Sequence, residues 1–180
     1  MTGTARPTTD GGRRTTDEDG TDDDDPAGSG AGSPLALAAV VALAFVPWSV
    51  QTFARPGSGL SLVFPWGLFN TAPPHVTTIY HFLFVYTAGL PDYILAWPIS
   101  VLLWGVAVVS AAVGYATGRE DPRVTALALV LAGVAQLSVA VGFSVQPYRT
   151  AWPLGTLALW TVAWWFYGPA IRASFLGQRA

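Results

Sequence analysis

Cysteine and lysine are both missing from these 180 residues, and beyond residue 34 the only acids are Asp92, Glu120 and Asp121. The lack of cysteine excludes disulfides, thiolate metal sites and a cysteine nucleophile, and leaves the redox compartment open. All nine basic residues are Arg and most acids are Asp, which with abundant Ala, Val and Gly is the composition of a GC-rich genome. Histidine occurs only as His75 and His81. Six residues put these two far apart around a helix, and with Asp92 they do not make the compact three- or four-ligand set that zinc needs. There is no Gly-x-Ser-x-Gly, phosphate loop, His-Glu-x-x-His or intramembrane acid pair, so no catalytic residue and no cofactor is expected. The class expected is a non-enzyme, without a nucleic-acid partner.

What the chain has instead is apolar length. From Tyr93 to Gly118 there is no Asp, Glu, Lys or Arg. A bilayer core of about 30 Å takes about 20 helical residues, so this run is long enough to cross. Uncharged runs also occupy Leu35 to Ala54, Val124 to Val145 and Ala151 to Ile171. They predict an all-α membrane protein, a four-transmembrane-helix bundle over residues 35–173 with spans at about 35–54, 93–117, 124–145 and 151–171. Ser33-Pro34 starts the first span and Pro47 kinks it; Pro91-Asp92 starts the second, with a further kink at Trp97-Pro98. Gly118 as C-cap and Asp121-Pro122 as the next start make the second and third spans antiparallel neighbours. Their small residues, Ser110 and Gly114 facing Ser138 and Gly142, predict close packing. Gln136, the one strongly polar side chain in mid-span, predicts an interhelical hydrogen bond of about 1 kcal/mol.

Outside the spans lie two tails and one unusual loop. Residues 1–34 hold eight acids and three Arg, net −5, with almost nothing apolar, and predict a disordered acidic tail. The first apolar run starts at Leu35, so no cleavable signal peptide is expected, and residues 174–180 form a short C-terminal tail. Residues 58–92, the first outer loop, are apolar and aromatic where a loop is normally charged. Pro73-Pro74 can open a helix over Val76 to Ala88, too short to span, which predicts an interfacial or re-entrant segment. Val76, Ile79, Leu83 and Tyr86 fall at helical spacing and would face lipid. The sharper expectation is an outer pocket or partner surface closed by Trp66, Asn70, Tyr80, His81 and Asp92.

An even number of spans puts both termini on one side, with seven Arg there against Arg55 and Arg149 on the other. By the positive-inside rule the termini are cytoplasmic, in a multi-pass protein of the cell membrane. Leu62 to Gly67, Leu83 to Thr87, Gly89 to Tyr93, Ala96-Trp97-Pro98 and Trp164 to Tyr167 carry a resemblance. On those motifs, over roughly residues 35–173, the chain resembles an uncharacterised family of small haloarchaeal integral-membrane proteins named for gene neighbourhood with an HtrA-type serine protease. The resemblance implies no activity, cofactor or site residue. The expected function is a non-catalytic membrane scaffold or partner-binding component, with the lipid bilayer and a membrane-protein partner or a second copy as its company. The alternative is a small-solute transporter or channel subunit, for which a polar cavity would have to reach Gln136.

Overall fold

The computed structural model describes residues 30–54, 59–86, 89 and 91–176. The acidic tail up to residue 29 and the last four residues lie outside them. The architecture is not an all-α four-span bundle: a five-stranded antiparallel sheet sits beside the helices, and among the described residues two helices, not four, are long and apolar enough to cross a membrane.

The first expected span is where the correction starts. Ser33 Oγ accepts from Ala36 N at 3.0 Å and Pro34 opens helix α1, but α1 covers only Pro34–Ala42. Nine residues rise roughly 14 Å, half a bilayer core. Pro47 disfavours helix at the residue before it, and Ser49-Val50-Gln51 then alternates in polarity, with β-branched Val50 and Thr52 and aromatic Phe53 suited to a strand. Those residues form strand β1, Ser49–Phe53. Trp48, between the two elements, is fully buried, donates from Nε1 to Leu43 O at 2.9 Å and receives Gly155 N on its own carbonyl at 2.8 Å.

The outer loop is the body of the sheet. Strands β2, Leu60–Phe64, and β3, Gly67–Thr71, are joined by the two residues Pro65-Trp66; β3 and β4, Pro74–Thr78, are joined by Ala72-Pro73. Prolines that look like helix breakers are hairpin corners here, where the lack of an N–H costs nothing. Instead of a segment over 76–88, helix α2 covers Ile79–Phe84, capped by Thr78, whose Oγ1 accepts from His81 N. Strand β5, Arg149–Trp152, adds to the free side of β1 and completes the order β4-β3-β2-β1-β5.

Two long helices carry the sheet. Helix α3 is Asp92–Thr117 and α4 is Pro122–Ser144. Gly118 at φ +65° ends α3, a left-handed conformation that glycine adopts without steric cost, and Asp121 Oδ1 accepts from Arg123 N at 3.0 Å to begin α4. They pack as the central antiparallel pair, with α1 against α3. The chain then runs helically from Leu154, not from residue 151, through α5, Leu154–Val162, a π-helical turn, Ala163–Tyr167, and α6, Gly168–Leu176, packed along α4. The core between them is Val40, Trp48, Leu129, Leu159 and Tyr167. Outward, α3 and α4 leave large apolar side chains bare, among them Leu102 at 71 %, Val109 at 63 % and Leu127 at 59 % exposed.

Candidate functional site: a cavity between the sheet and the helix ends

Sheet registers decide what faces the helices. Gln51 pairs with Ser61 and Ser61 with Asn70, so three polar residues form a cross-strand row on the side that packs against α3 and α4; Ala151, opposite Gln51, continues it, and His75, opposite Asn70, is exposed. Gln51 and Ser61 are buried there, and Ser61 Oγ donates to Asn70 Oδ1. The opposite face carries the row Trp152, Val50, Leu62, Phe69 and Val76. The inner face is mixed, since buried Val63 and Ala151 lie on it beside Gln51 and Ser61, whereas an ordinary half-buried sheet turns mainly apolar side chains inward.

Above the polar row lies a cavity of about 360 Å³, a volume typical of small-molecule sites. Gln51, Ser61, Asn70 and Val63 make its floor, with Phe53 and Arg149 at the β1–β5 edge. The first turns of α3 give Tyr93, Ile94 and Trp97; the last turns of α4 give Val139 and Phe143, with Gln146 just beyond; α2 gives Phe82. A shallower hollow of about 200 Å³ shares Phe53, Ser61 and Asn70 with it.

The walls are held by specific contacts. A Cβ at Gly142 would fall 2.4 Å from the Tyr93 ring, so the bare backbone of α4 lets that ring lie flat and brings Tyr93 Oη to Gln146, whose Nε2 donates to it. Trp97 Nε1 donates to Phe64 O at 3.2 Å and its ring meets Phe82 at 5.6 Å, fixing α3 and α2 to the sheet. Arg149 follows Tyr148, whose φ of +64° is uncommon for a non-glycine residue. Its guanidinium carbon stands 4.8 Å from the Phe53 centroid and 5.5 Å from that of Phe143. Among the described residues it makes no ion pair with a carboxylate.

Of the five residues expected to close an outer pocket, only Asn70 lines this one. Trp66 stacks on Phe64 at 4.8 Å and donates to Ala44 O, tying the hairpin corner to the end of α1. Tyr80 is exposed beside His81 and Phe84; His81 Nδ1 is bonded to Thr78 Oγ1; Asp92 is exposed at the start of α3. The five do not converge. The residues missed are Gln51, Tyr93, Gln146 and Arg149, each near the end of an apolar run where a membrane reading takes polar groups for interface, and Ser61, inside the outer loop. Among the described residues no three His, Asp or Glu cluster as metal ligands would.

The small residues expected between α3 and α4 have mixed fates. Ser110 Oγ meets Thr125 Oγ1 at 2.8 Å across the pair, Gly114 is covered by Glu120, and Gly142 by Tyr93. Ser138 is exposed and donates to Val134 O of its own helix. Gln136 is fully buried, yet neither end of its amide has a partner among the described residues. An orphaned buried amide costs about 1–3 kcal/mol. Gln136→Leu is therefore expected to leave the thermal midpoint in detergent unchanged or raise it. A fall would mean that the amide is bonded after all.

The fold and cavity define a class: an α-plus-β protein with two potential membrane helices and a roofed, partly polar pocket where they meet a sheet. The chain belongs to the family described as Domain of unknown function (DUF8050), which it matches over residues 23–176. Nothing matches it among curated proteins or among solved structures.

Proposed function

We propose that this is a membrane-embedded, non-catalytic binding component in which α3 and α4 cross the lipid and the sheet roofs a ligand pocket outside it. The observation that carries the reading is the pair of buried polar residues under the cavity, Gln51 and Ser61, with Asn70 beside them: polar side chains turned inward in an otherwise apolar chain favour a pocket that receives a polar group. The bare apolar sides of α3 and α4 support the lipid placement, since a soluble protein would bury them. Arg119 and Arg123 lie at the end of this pair away from the sheet, which favours a cytoplasmic turn and an outward-facing sheet. Gly32 N donates to Glu120 at that turn, in keeping with an N-terminal segment on the same side. A transporter or channel draws less support, because the cavity ends at Val139 and Gln136, one helical turn further from the sheet, does not line it.

Two measurements test the proposal. In this cysteine-free chain, a single Cys in place of Tyr80 is expected to react with an impermeant maleimide in intact cells, and one in place of Val109 to stay unreactive; labelling at Val109 would remove α3 from the lipid. Protein taken from its own membranes is expected to carry a small molecule in native mass spectrometry. Ser61→Leu, which fills the cavity and removes the bond to Asn70, should lose it. An empty wild-type protein would count against a binding role.

A further inference from the structure

We infer that the pocket takes an organic anion, a carboxylate or phosphate head on an apolar and preferably aromatic body, with Arg149 and Gln51 as the head's ligands; this rests on the binding role proposed above. Arg149 brings a permanent positive charge to the cavity edge, held over Phe53 and Phe143 with no carboxylate opposite it among the described residues. Ring faces steer a guanidinium but leave its in-plane N–H donors unused. Those donors match the paired oxygens of a carboxylate or phosphate.

Gln51 is the independent observation. It is 3 % exposed, it lines the same cavity, and its Nε2 has no hydrogen-bond partner among the described residues. Gln51 lies one residue from Thr52 and two from Phe53, the residue directly opposite Arg149, so both donors border one end of the cavity. Arg149 brings N–H donors to that end, and the Gln51 amide nitrogen, closed off from solvent in the empty site, is unanswered among the described residues. A cationic ligand would face Arg149 unfavourably. A wholly apolar one would leave the Gln51 amide as costly as it is in the empty site. The rest of the lining, Phe82, Trp97 and Phe143 with Val139, suits an apolar body.

An anionic head can come from a soluble metabolite or from a lipid headgroup, and the test separates these sources. The full chain in phosphatidylcholine nanodiscs is titrated by calorimetry with 3-phenylpropanoate and with 3-phenylpropanamide, its neutral counterpart. The carboxylate is expected to bind at least about tenfold more tightly than the amide, the difference a charge-assisted bidentate pair supplies. Arg149→Gln should erase that difference and Gln51→Leu should reduce it, while Arg172→Gln, whose charge sits over Trp164, should leave it intact. Should Arg149→Gln not fold, Arg149→Lys keeps the charge and loses the fork, and is expected to weaken the carboxylate alone.

Replacing phosphatidylcholine by phosphatidylglycerol then assigns the source. A higher thermal midpoint and loss of carboxylate binding, both dependent on Arg149, point to a lipid head; no change points to a free anion, and either outcome supports the inference. Equal binding of amide and carboxylate, or an Arg149→Gln variant that binds like wild type, overturns the anion assignment and leaves the pocket standing. Binding of neither probe, no effect of phosphatidylglycerol and no molecule carried from the membrane overturn both readings.

Discussion

Gly114→Leu is expected to lower the stability of the protein by about 3 kcal/mol, the upper end of the cost of overpacking a close contact, whereas Gly105→Leu in the same helix should be neutral or stabilising. The two sites differ only in what stands above the backbone. A Cβ at Gly114 would fall 2.2 Å from Glu120 Cβ and 2.9 Å from its Cα, while a Cβ at Gly105 has nothing within 4 Å. Glu120 cannot retreat cheaply. It accepts from Thr125 Oγ1 at 2.7 Å and from Gly32 N, and so ties the start of α4 and the segment before α1 to the end of α3. At Gly105 the exchange brings only the helix-propensity gain, about 1 kcal/mol. Thermal unfolding in one detergent checks the pair; equal midpoints would mean that Glu120 does not close over Gly114.

Trp48→Ala is expected to cost about 3–5 kcal/mol, as large-to-small changes of buried aromatics do, and to loosen the sheet from the helices. Trp48 touches every part that must be joined. Its backbone N–H donates to Val63 O in β2, a bond that alanine keeps; its ring meets Trp104 of α3 edge-on at 6.0 Å, and Gly155 of α5 rests on its Cβ and Cα. Trp48→Phe keeps most of the apolar area and loses only the bond to Leu43 O, about 1 kcal/mol. The check is limited proteolysis alongside the thermal midpoint: Trp48→Ala should expose β2 and β3 to cleavage before α3 and α4, and cleavage spread evenly over the chain would contradict the hinge role.

The contrast between what the sequence discloses and what it hides follows from pairing range. Helices α3 and α4 are legible because their causes are local: an uncharged run, Asp92 in the first turn, Gly118 at the end, Asp121-Pro122 at the next start. The sheet is not, since its strands are short and sit inside runs that hydropathy averages into spans. Hydropathy places Ser49 to Phe53 in a helix ending at residue 54 and divides Arg149 to Trp152 between a loop and a span, where the structure has strands β1 and β5. In the outer loop Pro65 and Pro73 gave the right places for breaks but not their kind. The site was hidden for the same reason. Gln51, Ser61, Asn70 and Arg149 belong to four strands, and nothing in their spacing announces that registers align them. Asn70 was reached through its loop's odd composition, which is a true signal of a covered surface, though Tyr80, His81 and Asp92 nearby turned out to face away from it.

The mixed inner face of the sheet makes its alignment a sensitive feature of the molecule. Sliding any strand by one position would exchange its two sides. Here that exchange would bring Val50, Leu62 or Phe69 against the helices but turn Ala151, Val63 or Leu68 away from them, so apolar area alone does not single out the register. Further fixed points come from the indole N–H groups that reach backbone carbonyls: Trp66 to Ala44, Trp97 to Phe64 and Trp48 to Leu43. The aromatic side chains concentrated around the sheet serve as positional pins, and Gln51, Ser61 and Asn70 border the cavity only while those pins keep the strands in this register.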